Sequence, residues 1–206
     1  MNTLLFNLKD ATQESGCPVC SLQQKFENQY LETLFYEYVN DREIRDKLRN
    51  GGCFCPQHIR MIFEKRSSVL GISILFADLL NHYFTSKSDR QKNRCPVCEG
   101  WKEKEAFIRQ GLHKHWRKMK SSWGERAFLC EKHLRNIPQD ETIRQEMEEI
   151  SEKSLKNISQ DLSSLIRKFD YQAPKKSISK EEGTSWQEVL EFFAGSRLRK
   201  KSKSYP

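Results

Sequence analysis

The chain has 206 residues, of which 36% are hydrophobic and 31% are charged, with a formal net charge of +8. This length fits one compact domain or two small ones and excludes a large multi-module enzyme. The 12 Phe, 6 Tyr and 4 Trp are more large rings than a solvated coil carries, so we expect the chain to fold.

The start of the chain carries no export signal. Residues 1–10 hold one short apolar run, without a basic start or a small-residue cleavage site. The longest apolar stretch, residues 71–84, is broken by Asp78, Asn81 and His82 and is shorter than the roughly 20 apolar residues that a membrane-spanning helix needs. We therefore expect a cytoplasmic protein without a membrane partner.

The first half of the chain is predicted to be helical. After Cys20, apolar residues recur every four positions, which predicts one core-facing helix that ends near Gly51. A second helical region begins at Cys55 and resumes after Ser68 as the most apolar segment of the chain. The residues expected to be deeply buried there are Leu75, Phe76, Leu79, Leu80 and Tyr83.

The second half repeats this pattern after a polar connector at residues 86–94. The next predicted helix places six apolar residues on one face: Trp101, Ile108, Leu112, Trp116, Met119 and Trp123. A short helix begins at Cys130, and a long helix with nearly heptad apolar spacing begins at Asp140. The fold class predicted is all-α, with two zinc-stapled helical hairpin modules joined by a long C-terminal helix.

The spacing of the cysteines is the strongest pattern in the sequence. A reducing cytoplasm does not favour disulfides, so seven cysteines need another explanation. A Cys-Pro-Val-Cys motif followed by a Cys-x-x-His motif occurs twice, which indicates an internal duplication. The two predicted ligand sets are Cys17, Cys20, Cys55 and His58, and Cys95, Cys98, Cys130 and His133.

Three thiolates and one imidazole complete a tetrahedral zinc site, so we predict two zinc ions. An iron-sulfur cluster held by the same residues is the less favoured alternative, and buried residues without a metal are another. Four protein ligands leave no open position for water, so metal-assisted hydrolysis is not indicated. Cys53 lies outside both sets. Its counterpart in the second copy is Phe128, which favours a buried apolar role over a spare thiolate for ligand exchange or oxidation.

The predicted domain boundaries follow the motifs. A first metal-stapled module covers residues 1–90, and a second, with the long helix, covers 91–170. A linker with a short C-terminal helix covers 171–195, and a disordered basic tail covers 196–206.

The motifs resemble those of a family of prokaryotic proteins described only as a domain of unknown function. The resemblance rests on both Cys-Pro-Val-Cys motifs, both Cys-x-x-His turns, and the segments 34–41, 169–171 and 185–186. It would cover residues 12 to 195 and implies no activity. The departure from the family pattern is Cys53, beside the metal-binding Cys55.

The excess of positive charge lies in the second module and the tail, with 10 basic and 5 acidic residues in 95–135 and 5 basic residues without an acidic one in 196–206. These residues are candidates for contacting nucleic acid or an acidic protein surface. An ordinary solvated helix face is the alternative explanation. The candidate residues are Lys114, Arg117, Lys118, Lys120, Arg197, Arg199, Lys200, Lys201 and Lys203.

The sequence contains no recognised catalytic constellation and no motif for a small-molecule substrate. The function predicted is therefore that of a non-enzymatic, zinc-stabilised helical binding or adaptor protein. A thiol-based redox or metal-responsive protein is the alternative, and an unrecognised enzyme ranks third.

Overall fold

The computed structural model describes residues 3–51, 53–65, 68–85, 95–136, 140–169 and 177–195. Within these ranges the chain is helical and contains no strand, which confirms the all-α prediction. None of the helices described is both long and apolar enough to cross a bilayer. The helices are α1 (Thr3–Gln13), α2 (Pro18–Tyr36), α3 (Arg42–Gly51), α4 (Pro56–Lys65), α5 (Val69–Thr85), α6 (Pro96–Lys120), α7 (Glu131–Arg135), α8 (Glu141–Lys168) and α9 (Lys180–Ala194).

The helix predicted from Cys20 to Gly51 is wrong in one respect, because two helices occupy this stretch. α2 ends at Tyr36 and α3 begins at Arg42. The Asp41 carboxylate accepts a hydrogen bond from the backbone N–H of Ile44 at 2.9 Å, which caps the start of α3. An aspartate that caps a new helix favours a break in the chain over continuation of the previous helix. The apolar pattern does not contain this information, so it did not show the break.

Contacts divide the chain into two compact units, and the unit of residues 25–105 has a core built from α2, α3, α4 and α5. Leu31, Leu34, Phe35 and Leu75 are all at most 2% exposed. Gly71 brings α5 against the backbone of α2, since a Cβ placed there would lie 2.1 Å from the Phe35 carbonyl oxygen. The absence of a side chain at this position is what allows the two helices to approach so closely.

The burial predicted along α5 is only partly correct. Leu75 is fully buried, and Phe76 and Leu79 pack against the core from partly buried positions. Leu80 and Tyr83, however, are 54% and 53% exposed. α5 carries apolar residues on several faces, and any of these faces could pack against the core. The periodicity of the sequence therefore could not identify which face is buried.

The other unit comprises residues 1–24 and 106–206. Its part of α6 buries the predicted face at Ile108, Leu112, Trp116 and Met119, and Trp116 is 1% exposed. Trp101, in the unit of residues 25–105, is buried as well. The prediction is wrong for Trp123, which lies beyond the end of α6 at Lys120 and is half-buried. The Trp116 indole N–H donates a hydrogen bond to the Glu146 carboxylate of α8 at 2.5 Å. α8 begins after Asp140, as the sequence predicted, and the Asp140 carboxylate accepts a hydrogen bond from the Ile143 N–H at 3.0 Å, which caps the helix.

The last helix, α9, packs on α8 through its polar side. Ser185, Glu182, Glu188 and Glu191 are each at most 8% exposed. The Glu188 carboxylate accepts hydrogen bonds from the Arg126 guanidinium and from the Ser15 hydroxyl. Buried carboxylates are tolerated only with such partners. The apolar side of α9 is left facing solvent, with Trp186, Leu190 and Phe193 46–65% exposed.

The contact units and the predicted modules divide the chain at different places. The predicted boundaries at 90 and 170 fall within residues 86–94 and 170–176, which lie outside the described residues, as does the basic tail 196–206. Those module boundaries stay a prediction. The C-terminal stop at Gly195 is confirmed, because α9 ends at Ala194 and Gly195 has a left-handed φ of 71°.

The close approach at Gly71 gives a prediction about stability. Replacing Gly71 with Ala should lower the free energy of unfolding by about 1–3 kcal/mol, because the α2 backbone must move away from the new methyl group. Gly183→Ala is the matched control in α9, where the nearest atom to an added Cβ, Ile178 Cγ2, is 3.8 Å away. The control should be neutral or stabilising by up to about 1 kcal/mol. Urea unfolding of both metal-loaded variants measures the difference, and equal midpoints would contradict the packing described.

Candidate metal centres

Two clusters of cysteine and histidine are each able to hold a metal ion. All eight predicted ligands belong to them, and the ligand atoms of each cluster lie within 4.8 Å of one another. We call them the Cys17 cluster and the Cys55 cluster. The first contains Cys17, Cys20, Cys130 and His133, and the second contains Cys55, His58, Cys95 and Cys98.

This grouping corrects the predicted ligand sets. The first Cys-Pro-Val-Cys motif joins the second Cys-x-x-His motif, and the second Cys-Pro-Val-Cys motif joins the first Cys-x-x-His motif. Cys20 Sγ lies 3.6 Å from Cys130 Sγ, although the two residues are 110 positions apart. The spacing identified the donors correctly, but the assumption that neighbouring motifs share an ion was wrong.

Backbone pairing explains why distant motifs meet in the Cys17 cluster. Gly16 and Ala127 form a parallel bridge, in which the Gly16 N–H donates to the Arg126 carbonyl at 3.0 Å and the Phe128 N–H donates to the Gly16 carbonyl at 3.1 Å. Cys17 follows one side of this bridge, and Cys130 follows the other by three residues. The two ligand turns therefore start next to each other.

All four ligand motifs occupy the same local position, the first turn of a helix. Cys17, Cys55 and Cys95 each precede a proline that begins α2, α4 or α6, and Cys130 is the N-cap of α7. The second ligand of each motif follows three residues later, on the first turn. Proline is favoured at the first helical position because its missing N–H costs nothing there. The positive end of each helix also favours thiolate over thiol.

In the Cys17 cluster the imidazole faces three sulfur atoms. His133 Nδ1 lies 3.3 Å from Cys17 Sγ, 3.4 Å from Cys20 Sγ and 3.1 Å from Cys130 Sγ. Each of these residues is at most 5% exposed. Gly195 adjoins the cluster, since a Cβ placed on it would lie 3.2 Å from Cys20 Sγ. The end of α9 thus closes over this cluster.

The Cys55 cluster has the same arrangement. His58 Nδ1 lies 3.1 Å from Cys55 Sγ, 3.3 Å from Cys95 Sγ and 3.5 Å from Cys98 Sγ. Its other nitrogen, Nε2, lies 3.4 Å from a carboxylate oxygen of Glu27, which is itself buried. A carboxylate behind a histidine ligand fixes the orientation and tautomer of the ring and raises its basicity toward a metal.

The electrostatics of the two clusters favour one thiolate in each. Hydrogen bonds from Cys17 and Cys20 lower the pKa of Cys130 to about 3, whereas burial raises the pKa of Cys17 well above its usual value. Against the effect of burial, a hydrogen bond from His58 lowers the pKa of Cys95 to about 6. Burial thus favours the protonated form of Cys17. A bound cation competes with protons for the thiolates, so metal binding should weaken as pH falls.

The two clusters differ in exposure. The four residues of the Cys17 cluster are all buried, whereas Cys55 and Cys98 of the Cys55 cluster are half-buried. Burial raises the pKa of Cys98 to about 12, with the negative charge of Cys95 adding to it. Solvent therefore has more direct access to sulfur in the Cys55 cluster than in the Cys17 cluster.

Cys53 belongs to neither cluster. Its side chain is half-buried against the core of its unit, and its backbone has a left-handed φ of 80°. Burial raises the pKa of its thiol. Its counterpart, Phe128, is fully buried. A packing role for Cys53 agrees with this position.

The basic candidates on α6 lie in solvent. Lys114, Arg117, Lys118 and Lys120 are exposed, and Lys120 Nζ lies 3.1 Å from a Glu146 carboxylate oxygen. Hydrogen bonds from Trp116 and Lys120 lower the pKa of Glu146. The five candidates of the tail, Arg197, Arg199, Lys200, Lys201 and Lys203, lie outside the described residues.

Comparison with known proteins places the motifs in a family. The model of DUF6062, a family of unknown function, matches residues 3–132. The match includes seven of the eight ligands, and His133 lies one residue beyond it. It ends well before residue 195, the expected end of the resemblance.

A relative from Caldicellulosiruptor sp. (strain Rt8B.4), described as an uncharacterized 23.9 kDa protein in the xynA 3' region, is 28% identical to this chain over 200 residues. The similarity covers 90% of this chain and 98% of the relative. No solved structure matches.

The ligand grouping predicts metal stoichiometry in paired variants. Cys17→Ser and Cys130→Ser should each remove one metal ion per chain, and the double variant should still hold one, since both residues serve the same ion. Cys17→Ser combined with Cys55→Ser should remove both. Elemental analysis of folded, chelator-washed protein measures this. The opposite pattern, with two ions lost in the first double variant and one in the second, would restore the grouping of neighbouring motifs.

Proposed function

The chain belongs to DUF6062, a family of unknown function, and we propose that it is a non-enzymatic helical binding protein stabilised by two structural zinc ions. The observation that carries the proposal is the pair of four-donor Cys3His clusters. Thiolate and imidazole donors in a tetrahedral set suit zinc.

The spacing of the donor atoms supports a single four-coordinate ion in each cluster. Zn–S bonds of about 2.3 Å and Zn–N bonds of about 2.0–2.1 Å at tetrahedral angles imply S···S separations of about 3.8 Å and S···N separations of about 3.6 Å. One S···S distance in each cluster is 3.6 or 3.7 Å, all donor atoms of a cluster lie within 4.8 Å of one another, and the S···N distances run from 3.1 to 3.5 Å. A modest expansion of each cluster accommodates the ion.

A structural role follows from the completeness of each donor set. Three sulfurs and one nitrogen fill a tetrahedral coordination sphere and leave no position for a reacting water. Structural zinc contributes on the order of 10 kcal/mol to folding, which is comparable with the net stability of a whole domain. A chain with 36% hydrophobic residues gains much from such a contribution.

The binding role is supported by the exposed positive charge of α6. Lys114, Arg117 and Lys118 lie in solvent on the helix that begins at the Cys55 cluster. Trp116, between them in sequence, is buried and belongs to the core. The contact we propose is therefore electrostatic, with nucleic acid or another acidic surface as the partner, and without stacking by this indole.

Salt dependence tests this contact. Anisotropy titrations with labelled RNA and duplex DNA should give a log Kd that rises linearly with log salt. Replacing Lys114, Arg117 and Lys118 together with Ala should weaken binding and reduce the slope by about 2–3, because up to three phosphate contacts are lost. Deleting residues 196–206 should act in the same direction while leaving the helical content unchanged.

The control removes equal charge elsewhere. Lys153, Lys156 and Lys180 are exposed on α8 and α9, and their joint replacement with Ala should leave the slope unchanged. If the control weakens binding as much as the α6 variant, the attraction is a general effect of net charge. If the intact protein binds neither polymer at low salt, the contact with nucleic acid is refuted.

A second candidate function, a thiol-based redox or metal-responsive protein, is favoured by the exposure of Cys55 and Cys98. With zinc bound, the sulfur ligands are thiolates. Hydrogen peroxide takes two electrons from two of them and two protons from solvent, which forms a disulfide and two water molecules and releases the zinc ion. This candidate predicts that mild peroxide releases one zinc ion per chain within minutes and that a thiol reductant with added zinc restores it.

A zinc-sensitive dye follows the release, and the variants identify the cluster. Cys17→Ser retains only the Cys55 cluster and should still release zinc, whereas Cys55→Ser should not. Cys53→Ser should leave both the release and the stability unchanged, in contrast to Cys98→Ser, which should lose one ion and much of the stability. If both ions are retained under peroxide, the redox candidate is refuted and the structural role of the zinc ions remains.

A further inference from the structure

One side of α5 is apolar and faces solvent. Its residues follow helical spacing over 14 positions, and the largest of them, Leu70, Leu80 and Phe84, are 73%, 54% and 72% exposed. Small residues occupy the middle of the row. In order along the helix the row, which we call the α5 face, consists of Leu70, Ser73, Ala77, Leu80 and Phe84.

Other sides of α5 pack within its own unit. Leu75 is buried in the core, and Gly71 contacts the backbone of α2. Asp78 is the single charged residue of the helix. Its carboxylate accepts two hydrogen bonds from Arg49 of α3 and lies 3.7 Å from Arg45. The core and the charge are thus directed away from the α5 face, which is uncharged along its length.

The α5 face is symmetric about Ala77 at its two ends, whereas nearer the centre Ser73 on one side corresponds to Leu80 on the other. Leu70 and Phe84 lie seven positions before and after it, or two helical turns in each direction. If two α5 helices pack antiparallel, Leu70 lies opposite the partner's Phe84, and Ala77 lies opposite the partner's Ala77. Large side chains then meet at both ends, and small ones meet at the crossing point, where the helices approach most closely. A two-fold axis through Ala77 satisfies both copies with the same face.

The area available fits a reversible contact. Val69 and Tyr83 border the face and are 67% and 53% exposed. At about 150–250 Å² for a large side chain, the five large residues leave on the order of 500 Å² open on each copy. The total of about 1,000 Å² is at the lower limit for a specific interface, which corresponds to a weak dimer. A charged partner would leave its charges unpaired against this face.

We propose that the α5 face is a homodimer interface, on which the α5 helix of a second copy packs antiparallel about Ala77. The dimer forms reversibly, with a dissociation constant in the micromolar range. It presents two copies of every other surface of the chain, which strengthens any contact made through them by raising the effective concentration of the second site.

Sedimentation velocity of the zinc-loaded full chain, from about 1 to 200 μM, tests the interface. The wild type should shift from the mass of one 24.4 kDa chain to the mass of two. Ala77→Glu brings two carboxylates together on the axis and should raise the dissociation constant by on the order of 100-fold. Ala194→Glu is the matched control, since Ala194 is an exposed alanine of a different helix, α9; it should dimerise like the wild type.

Circular dichroism and zinc content show whether the Ala77→Glu chain remains folded. If that variant misfolds, Leu70→Ser with Phe84→Ser removes both ends of the face and should give the same loss of dimer. A wild-type chain that stays monomeric at 200 μM overturns the proposal, as does a dimer that survives both variants. A monomer that instead binds neutral phospholipid vesicles through this face would identify it as a lipid-facing surface and would also refute the dimer.

Discussion

The meeting of helix N-termini at the two clusters is the constraint on which the rest of the structure depends. Each helix that carries ligands begins at its motif, so the start of the helix and the position of the donors are fixed together. The positive helix ends would repel one another if they met without a partner. The negative charge of the favoured thiolate in each cluster, Cys130 or Cys95, offsets this repulsion. The buried imidazole of His133 or His58 is the fourth donor of the set.

Polar interactions complete a core that apolar residues alone do not fill. Arg126 pairs with both Glu188 of α9 and Asp161 of α8. Lys168, the last residue of α8, pairs with Glu182 of α9. Such pairs are costly to bury unless every member is satisfied, and they therefore specify one arrangement of α9 on α8. A consequence is that α9 turns its apolar residues outward. The exposed apolar side of α9 thus follows from the charged contacts made by its polar side.

Particular residues show how far local pattern predicts this chain. The apolar row of α6 through Trp116 was predicted correctly because one strongly periodic face has only one way to be buried. The start of α8 at Asp140 was also predicted, since a clear periodic run follows it. The start of α3 after Asp41 was not, because the apolar residues around it continued the pattern of the preceding helix. Leu80 was placed in the core because α5 is apolar on several sides, and periodicity cannot rank them.

The sequence by itself determined which side chains are able to hold a metal, because coordination chemistry is local. Two donors three residues apart, at a position where a helix starts, converge wherever that turn lies in space. Only the tertiary structure decided which turns share a cluster. That choice rests on contacts between segments far apart in the chain, such as the bridge from Gly16 to Ala127. The spacing of the motifs does not encode such a bridge. Either Cys-x-x-His motif has the chemical ability to share an ion with either Cys-Pro-Val-Cys motif. The packing of the backbone around the motifs decides which two share a cluster.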